Sequence, residues 1–310
     1  MRVLFWGTPD FAVPALRALT EEGHEVVGVV TQPDRPAGRG RALRSSPVKR
    51  MALSDSLTVL EPEAPHGDDF LREIGALSPD ISVVVAYGRI LQREVLDAPP
   101  RGSINVHASL LPSLRGAAPI NWAIIQGRSS TGVTVMRMVE KMDAGPILFQ
   151  IEEPIAPNET AAELTVRLSE VGAQALVEAL ALVEGGALEE QPQDESLATF
   201  APKIGRESAR VDWTVSASDV ANLVRGMDST PGAWSTLDSR PVKLFRPSLE
   251  EHADEADSGL VLEVDGSSGF VVATGSEAVR FGEVQPEGKG RMAAGAWILG
   301  RGVTAGQRFE

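Results

Sequence analysis

The sequence predicts an α/β protein, with an open, mostly parallel sheet and flanking helices in its N-terminal part and a small β-barrel after it. Three observations carry this prediction. The first 31 residues read as strand, turn, helix and strand, the β-α-β unit whose crossover is almost always right-handed. Residues 81–86, Ile-Ser-Val-Val-Val-Ala, form an apolar, β-branched run interrupted only by Ser82, of the kind buried on both faces in parallel sheets. Beyond residue 240, short β-prone runs alternate with turn chemistry such as Asp265-Gly266-Ser267-Ser268-Gly269, which is the spacing of a small barrel.

Residues 2–6 are the first strand, Gly7-Thr8-Pro9-Asp10 is the turn, and residues 11–20 carry helical periodicity with Asp10 as N-cap. Residues 25–31 form the second strand. The turn between them holds one glycine and no G-x-G-x-x-G, so the usual dinucleotide fingerprint is missing and a nicotinamide-dependent oxidoreductase is the weaker alternative. Residues 32–48 are rich in Pro, Gly and Arg and predict a long loop. Residues 132–139 and 146–155 read as strands flanking Glu140-Lys141-Met142-Asp143-Ala144-Gly145, and residues 159–183 as an amphipathic helix stopped by Gly185-Gly186. The stretch Glu189-Glu190-Gln191-Pro192-Gln193-Asp194-Glu195 has linker composition. The expected division is therefore a domain over residues 1–188, a linker over 189–205 and a second domain over 206–310. Within the last, residues 219–227 predict a short helix, residues 242–249, 259–264, 269–273 and 278–284 predict strands, and Trp213 and Trp234 are expected to fill the core.

A length of 310 residues exceeds what one core usually organises. No apolar run approaches the roughly 20 residues of a membrane helix, and the apolar run at the start is too short for a signal peptide. A monomeric cytoplasmic protein with no membrane partner is expected. The absence of cysteine excludes disulfides, thiolate metal ligands and a cysteine nucleophile. The four histidines, His24, His66, His107 and His252, stand in no metal-ligand spacing, so no bound metal is expected. A net charge of −14 opposes generic affinity for nucleic acid. Residues 35–50 nevertheless hold Arg35, Arg39, Arg41, Arg44, Lys49 and Arg50 with no acid. This run is either a solvated face or a salt-sensitive phosphate patch, and its lack of aromatics suits backbone contacts rather than base stacking.

The chemistry centres on Ile104-Asn105-Val106-His107-Ala108-Ser109-Leu110-Leu111-Pro112. Asn105 and His107 stand two apart in a β-prone run, so their side chains project from one face. The run ends where Pro112, Gly116 and Pro119 punctuate a loop, and open α/β sheets place their ligands at such strand ends. A neutral imidazole accepts a proton near neutral pH, while an amide donates to a developing oxyanion without competing for that proton. The pair suits acyl transfer, although a histidine at a strand end also serves as a backbone cap. Asp143, in a Gly-bounded loop, is the best placed acid to orient the imidazole or relay its proton; spacing alone favours a solvated turn aspartate. Asp10 and Asp80 read as caps or turn residues.

These residues resemble the methionyl-tRNA formyltransferase family over essentially the whole chain. Gly7-Thr8-Pro9-Asp10-Phe11 is similar to the family's opening turn, Thr31-Gln32-Pro33-Asp34-Arg35-Pro36-Ala37-Gly38-Arg39-Gly40 to its tRNA-contacting loop, and Val85-Ala86-Tyr87-Gly88 to its formyl-donor sheet edge. Asn105-Val106-His107-Ala108-Ser109-Leu110-Leu111-Pro112 with Arg115-Gly116-Ala117-Ala118-Pro119-Ile120 resembles the signature of folate-dependent formyltransferases, and Met142-Asp143-Ala144-Gly145 the loop of their catalytic aspartate. Pro202-Lys203-Ile204, Ala209-Arg210-Val211-Asp212-Trp213, Pro231-Gly232-Ala233-Trp234 and Gln285-Pro286-Glu287-Gly288-Lys289 resemble the second domain.

The resemblance implies a Rossmann-like sheet followed by an OB-like barrel that helps hold tRNA. It implies formyl transfer from 10-formyltetrahydrofolate to the α-amino group of methionyl initiator tRNA, in translation initiation and one-carbon metabolism. Asn105, His107 and Asp143 would be catalytic. Tyr87, Gly88, Ser109, Leu110, Leu111 and Pro112 would contact the donor, and Arg35, Arg39, Arg41, Arg44 and Lys49 the tRNA. Two stretches, Arg44-Ser45-Ser46 and residues 226–230, depart from the family's pattern.

Overall fold

The computed structural model describes residues 1–37, 42–251 and 256–310. They divide into two compact units, the first comprising Met1–Gly116, Thr131–Glu153 and Thr165–Phe200, the second Ala117–Ser130, Pro154–Leu164 and Ala201–Glu310.

The strands through the first unit are β1 (Arg2–Gly7), β2 (Glu25–Val30), β3 (Arg35–Ala37), β4 (Ala42–Arg44), β5 (Val59–Leu60), β6 (Ile81–Val85), β7 (Ser103–His107), β8 (Arg115–Gly116), β9 (Ser130–Arg137) and β10 (Ile147–Pro154). Seven of them form one sheet in the order β10-β9-β7-β6-β1-β2-β5. β1 pairs in parallel with β2 and β6, and β6 with β7, as the opening β-α-β unit and the apolar run predict. β9 runs antiparallel to β7. The chain leaves β1 for β2 on one side and returns to β6 on the other, so the loops after β1 and β6 open at a topological switch point, where ligands of open α/β sheets bind. Beneath that edge Leu4, Trp6, Phe70, Ile74, Val84 and Tyr87 share a core, with Trp6 edge-on to Tyr87 at 5.2 Å.

Two local expectations change. Asp10 is not an N-cap: it opens a short 3-10 turn, Asp10–Ala12, and the helix Val13–Glu21 begins after it with no capping side chain. Pro14 in its first turn lacks the N–H that a cap would satisfy. Residues 32–48 are not one loop. β3 and β4 form an antiparallel hairpin, with Pro36 opposite Leu43. A two-stranded ribbon tolerates that proline because its outward side needs no donor. Ser46 then caps the helix Pro47–Ser54, its hydroxyl accepting from the Lys49 backbone N–H. The long helix spans Ala161–Gly185 and stops at the predicted glycines.

In the second unit, Trp234–Leu237, Arg240–Glu250, Ala278–Pro286, Gly269–Ala273 and Val261–Asp265 form an antiparallel sheet in that order, with Met292–Ala293 beside Ala278–Pro286. Its two outer strands are joined by the last residues of the chain. Thr236 and Glu310 exchange backbone hydrogen bonds at 2.9 and 3.2 Å, while the Phe309 N–H donates to the Gly259 carbonyl and the Val261 N–H to the Gln307 carbonyl, both at 2.8 Å. The strip is thereby drawn into a barrel-like ring. Gly259 is required there: its φ is +87°, and a Cβ would lie 2.4 Å from the Phe309 carbonyl oxygen.

Phe309, 1% exposed, stacks on Phe270 at 5.8 Å and lies 5.6 Å from Trp213. Phe309→Ala is therefore expected to cost about 3–5 kcal/mol, read as a lower midpoint in denaturant unfolding; an unchanged midpoint would show that the ring closes without it. Trp213 fills this core as expected. Trp234 does so only in part, with the Arg206 and Arg210 guanidinium groups 4.9 and 5.6 Å from its ring centre.

Candidate functional site

The parallel register sets Asn105 beside Val84 of β6, and the antiparallel register sets His107 opposite Thr134 of β9. Both side chains thus leave the same face of β7 at its carboxyl end. His107 is 6% exposed. Its Nε2 lies 3.0 Å from the Leu114 carbonyl oxygen. A carbonyl only accepts, so that contact assigns the hydrogen of the neutral ring to Nε2 and leaves Nδ1 as the basic atom. Nδ1 faces the Asp143 Oδ2 at 3.8 Å. This is too long for a hydrogen bond, yet close enough that a proton arriving on Nδ1 meets a carboxylate.

Asp143 is held from two directions. Its Oδ2 accepts from the Gly116 N–H at 2.8 Å, and its backbone adopts the left-handed conformation, φ +51°, which aspartate tolerates better than most residues. Ala86 (φ +48°), Gly88 (φ +85°) and Leu114 (φ +59°) share that sparsely populated region. Such positions cluster where a fold holds a site in a fixed shape. The Asn105 amide makes no side-chain hydrogen bond among the described residues, so its donors are available to a ligand.

The turn after β7 is braced from behind. The Thr134 hydroxyl donates to the Ser109 carbonyl at 2.6 Å and accepts from the Leu111 N–H at 3.0 Å; Gln150 Nε2 donates to the Leu111 carbonyl at 3.0 Å and to the Thr134 hydroxyl at 2.8 Å. The Ser109 hydroxyl donates to the Ser113 carbonyl at 2.6 Å. Ser109 and Leu111 are therefore buried scaffold, and Leu110 and Pro112 are the partly exposed members of the turn. Tyr87 likewise points into the core, where burial pushes its phenol pKa up. Its carbonyl oxygen accepts from the Thr8 hydroxyl at 3.0 Å and from Gln32 Nε2 at 3.2 Å, which ties the loops after β1, β2 and β6 together and leaves Gly88 exposed beside them.

Of the cationic run, Arg39 and Arg41 lie outside the described residues. Arg35 and Arg44 are exposed and stand directly opposite each other across the β3–β4 hairpin. Like charges so placed repel, and an anion between them would relieve that repulsion. Lys49 behaves differently. Its ammonium bridges Asp34 at 3.0 Å and Glu61 at 2.7 Å, and hydrogen bonds to Glu61 and then Asp34 hold its pKa above the ordinary lysine value. It anchors the hairpin's base, and its charge is spent within the protein.

Sequence reasoning missed Arg115 and Gln193. Arg115, 1% exposed, donates through Nε and Nη2 to Gln193 Oε1 and pairs through Nη1 with Glu195. A buried guanidinium must find such partners, and an arginine amid apolar and small residues was the available signal. Among the described residues, no group of three or more His, Cys, Asp or Glu side chains is arranged to hold a metal ion, and no helix is long and apolar enough to cross a membrane.

Comparison with known proteins bears on the chain as a whole. The family described as Formyl transferase matches residues 1–180, and the one described as Formyl transferase, C-terminal domain, matches residues 203–302. The methionyl-tRNA formyltransferase of Bacillus cytotoxicus is 44% identical over 310 residues, covering 100% of this chain and 98% of that protein. Among solved structures, HypX from Aquifex aeolicus in complex with tetrahydrofolic acid superposes with a TM-score of 0.66 at 23% identity, over 97% of this chain and 47% of that one. The methionyl-tRNA formyltransferase from Clostridium thermocellum gives 0.56 at 12% identity, over 81% and 94%. The two structural likenesses establish the fold.

Proposed function

This chain belongs to the methionyl-tRNA formyltransferase family, and from that premise we propose that Asn105, His107 and Asp143 carry its reaction, the transfer of formyl from 10-formyltetrahydrofolate to the α-amino group of methionyl initiator tRNA. The observation that supports these roles most is the convergence of a partnerless amide, a basic Nδ1 and a carboxylate at one strand end.

The donor supplies an electrophilic formyl carbon; its N10–formyl bond breaks as N10 takes up the proton that the attacking amine has lost through His107, and it leaves as tetrahydrofolate. Asn105 donates its amide hydrogens to the formyl oxygen as charge develops there. His107 takes the proton that the attacking amine must lose, at Nδ1, and the Asp143 carboxylate stabilises the imidazolium so formed. The Nε2–H bond to the Leu114 carbonyl persists in both protonation states, so the ring need not turn. Gly88, Leu110 and Pro112 form the accessible donor-contacting edge, with Tyr87, Ser109 and Leu111 supporting it from the core. These residues fit a folate donor because they combine apolar surface with an amide free to bind a carbonyl. On this reading the enzyme works as a monomer in the cytoplasm, where its tRNA acceptor is found.

Arg35 and Arg44, together with Arg39 and Arg41 of the same sequence run, hold tRNA phosphates. The opposed pair on β3 and β4 supports this, whereas Lys49 already holds two carboxylate partners, which makes it the weaker member of the set. Arg35→Ala/Arg44→Ala is expected to raise the KM for tRNA and to reduce the slope of log affinity against log salt by about 0.7–0.9 for each phosphate no longer neutralised, with donor kinetics unchanged. An unaltered slope would make the hairpin a solvated face.

The function itself is tested by label transfer from 10-formyltetrahydrofolate. Methionyl initiator tRNA should be formylated and glycinamide ribonucleotide should not; preference for the latter would reassign the acceptor while leaving the chemistry intact.

A further inference from the structure

Residues 189–205 have the composition of a linker, yet one side chain in them holds the loop of the proposed catalytic carboxylate. Gln193 Nε2 donates to the Asp143 carbonyl at 2.9 Å and to the Gly145 carbonyl at 2.7 Å. Its Oε1 accepts from Arg115 Nη2 at 2.7 Å and Nε at 3.0 Å. One amide therefore clamps the Asp143 loop on one side and the loop bearing Gly116, the other partner of Asp143, on the opposite side.

Neighbouring contacts close the arrangement. Glu195 pairs with Arg115 at 3.1 Å and with Lys141 at 2.6 Å. Lys141 and then Arg115 hold the Glu195 carboxyl below its ordinary pKa. The Thr199 hydroxyl accepts from the Leu114 N–H at 2.9 Å, and the Thr199 carbonyl accepts from the Arg115 N–H at 2.9 Å. Leu114 is in turn the residue whose carbonyl fixes His107.

We infer that Gln193 is a positioning residue for formyl transfer: through Arg115 and the Asp143 loop it sets the approach of Asp143 to His107 Nδ1, and residues 191–199 act as a strap across the site. The inference rests on the catalytic reading of Asp143. A glutamine suits this position because it needs two donors toward carbonyls and one acceptor toward a guanidinium, and only an amide side chain of this length offers both.

Gln193→Glu separates positioning from folding. Its carboxylate keeps, and strengthens, the bond to Arg115, but it has no donor for the Asp143 and Gly145 carbonyls. Expected are a thermal midpoint lowered by less than in Gln193→Leu, a KM for formyltetrahydrofolate within twofold, and a kcat reduced by about 10- to 100-fold, the scale of a misplacement of around 1 Å. In an Asp143→Ala background the same substitution should change kcat by less than twofold, because Gln193 acts through Asp143. Gln193→Leu, which removes both sets of bonds, should lose activity together with stability.

A Gln193→Glu kcat within threefold of wild type would overturn the inference. So would a loss expressed in KM, or a full additional loss in the Asp143→Ala background. A fully active Asp143→Ala protein would overturn the catalytic reading itself, whatever Gln193 does, so the two failures are distinct.

Discussion

Asp143→Asn and Asn105→Ala are each expected to slow formyl transfer by about 10²–10³ while leaving the binding of the folate donor within threefold. The asparagine at 143 keeps the size of the side chain and an oxygen for the Gly116 N–H, so the loop stays in place. What it removes is the charge 3.8 Å from His107 Nδ1, and with it the stabilisation of the imidazolium. Asn105→Ala removes a donor aimed at the reacting carbonyl and nothing that the fold uses, since the amide has no partner among the described residues. A factor of 10²–10³ corresponds to about 2.7–4 kcal/mol of transition-state stabilisation. Steady-state kinetics with donor titrations check both variants; a rise in donor KM at unchanged kcat would place these side chains in binding rather than chemistry.

Gly145→Ala is expected to produce a loss of about 10² in kcat through geometry alone. A Cβ on Gly145 would lie 1.9 Å from the Arg137 carbonyl oxygen and 2.9 Å from its carbon. Both are backbone atoms of β9 and cannot swing aside. The Arg137 N–H also donates to the Pro146 carbonyl at 2.9 Å, so relief of the clash pulls the loop away from the strand that carries it. Asp143, two residues earlier, moves with the loop, and a shift near 1 Å is enough to cost that factor. The measurement is kcat alongside the thermal midpoint. Wild-type kcat would show that the site tolerates displacement of this loop.

The sheet was legible because its signals are local. The β-α-β opening, the apolar run before Tyr87 and the period-two placement of Asn105 and His107 each depend on neighbours in sequence, and the parallel register carries them to a common edge. The pairing of β3 with β4 was hidden because Pro, Gly and Arg composition does not distinguish a loop from a short ribbon on the surface. Long-range polar pairing was invisible for a different reason. Lys49 finds Asp34 and Glu61, and Arg115 finds Gln193 some 78 residues away, with no periodicity linking them.

Asp143 stands between these cases. Its loop was identifiable from the flanking strands, and its approach to His107 follows only from β9 and β10 folding back beside β7. The acid-rich stretch at 189–195 looked like a linker for want of apolar residues, although Gln193 and Glu195 supply the partners that a buried arginine requires. In the C-terminal unit the alternating strands were readable, whereas the pairing of Phe309 with Leu237 and of Arg308 with Leu260 joins residues far apart in sequence that no local signal links.

The most direct test of the central claim is single-turnover formylation of methionyl initiator tRNA at saturating donor and acceptor, comparing the wild-type protein with Asn105→Ala and Asp143→Asn. The roles assigned to the strand-end amide, the imidazole and the carboxylate predict that both variants bind donor normally and transfer formyl about 10²–10³ times more slowly. Transfer by either variant within threefold of the wild-type rate would contradict them.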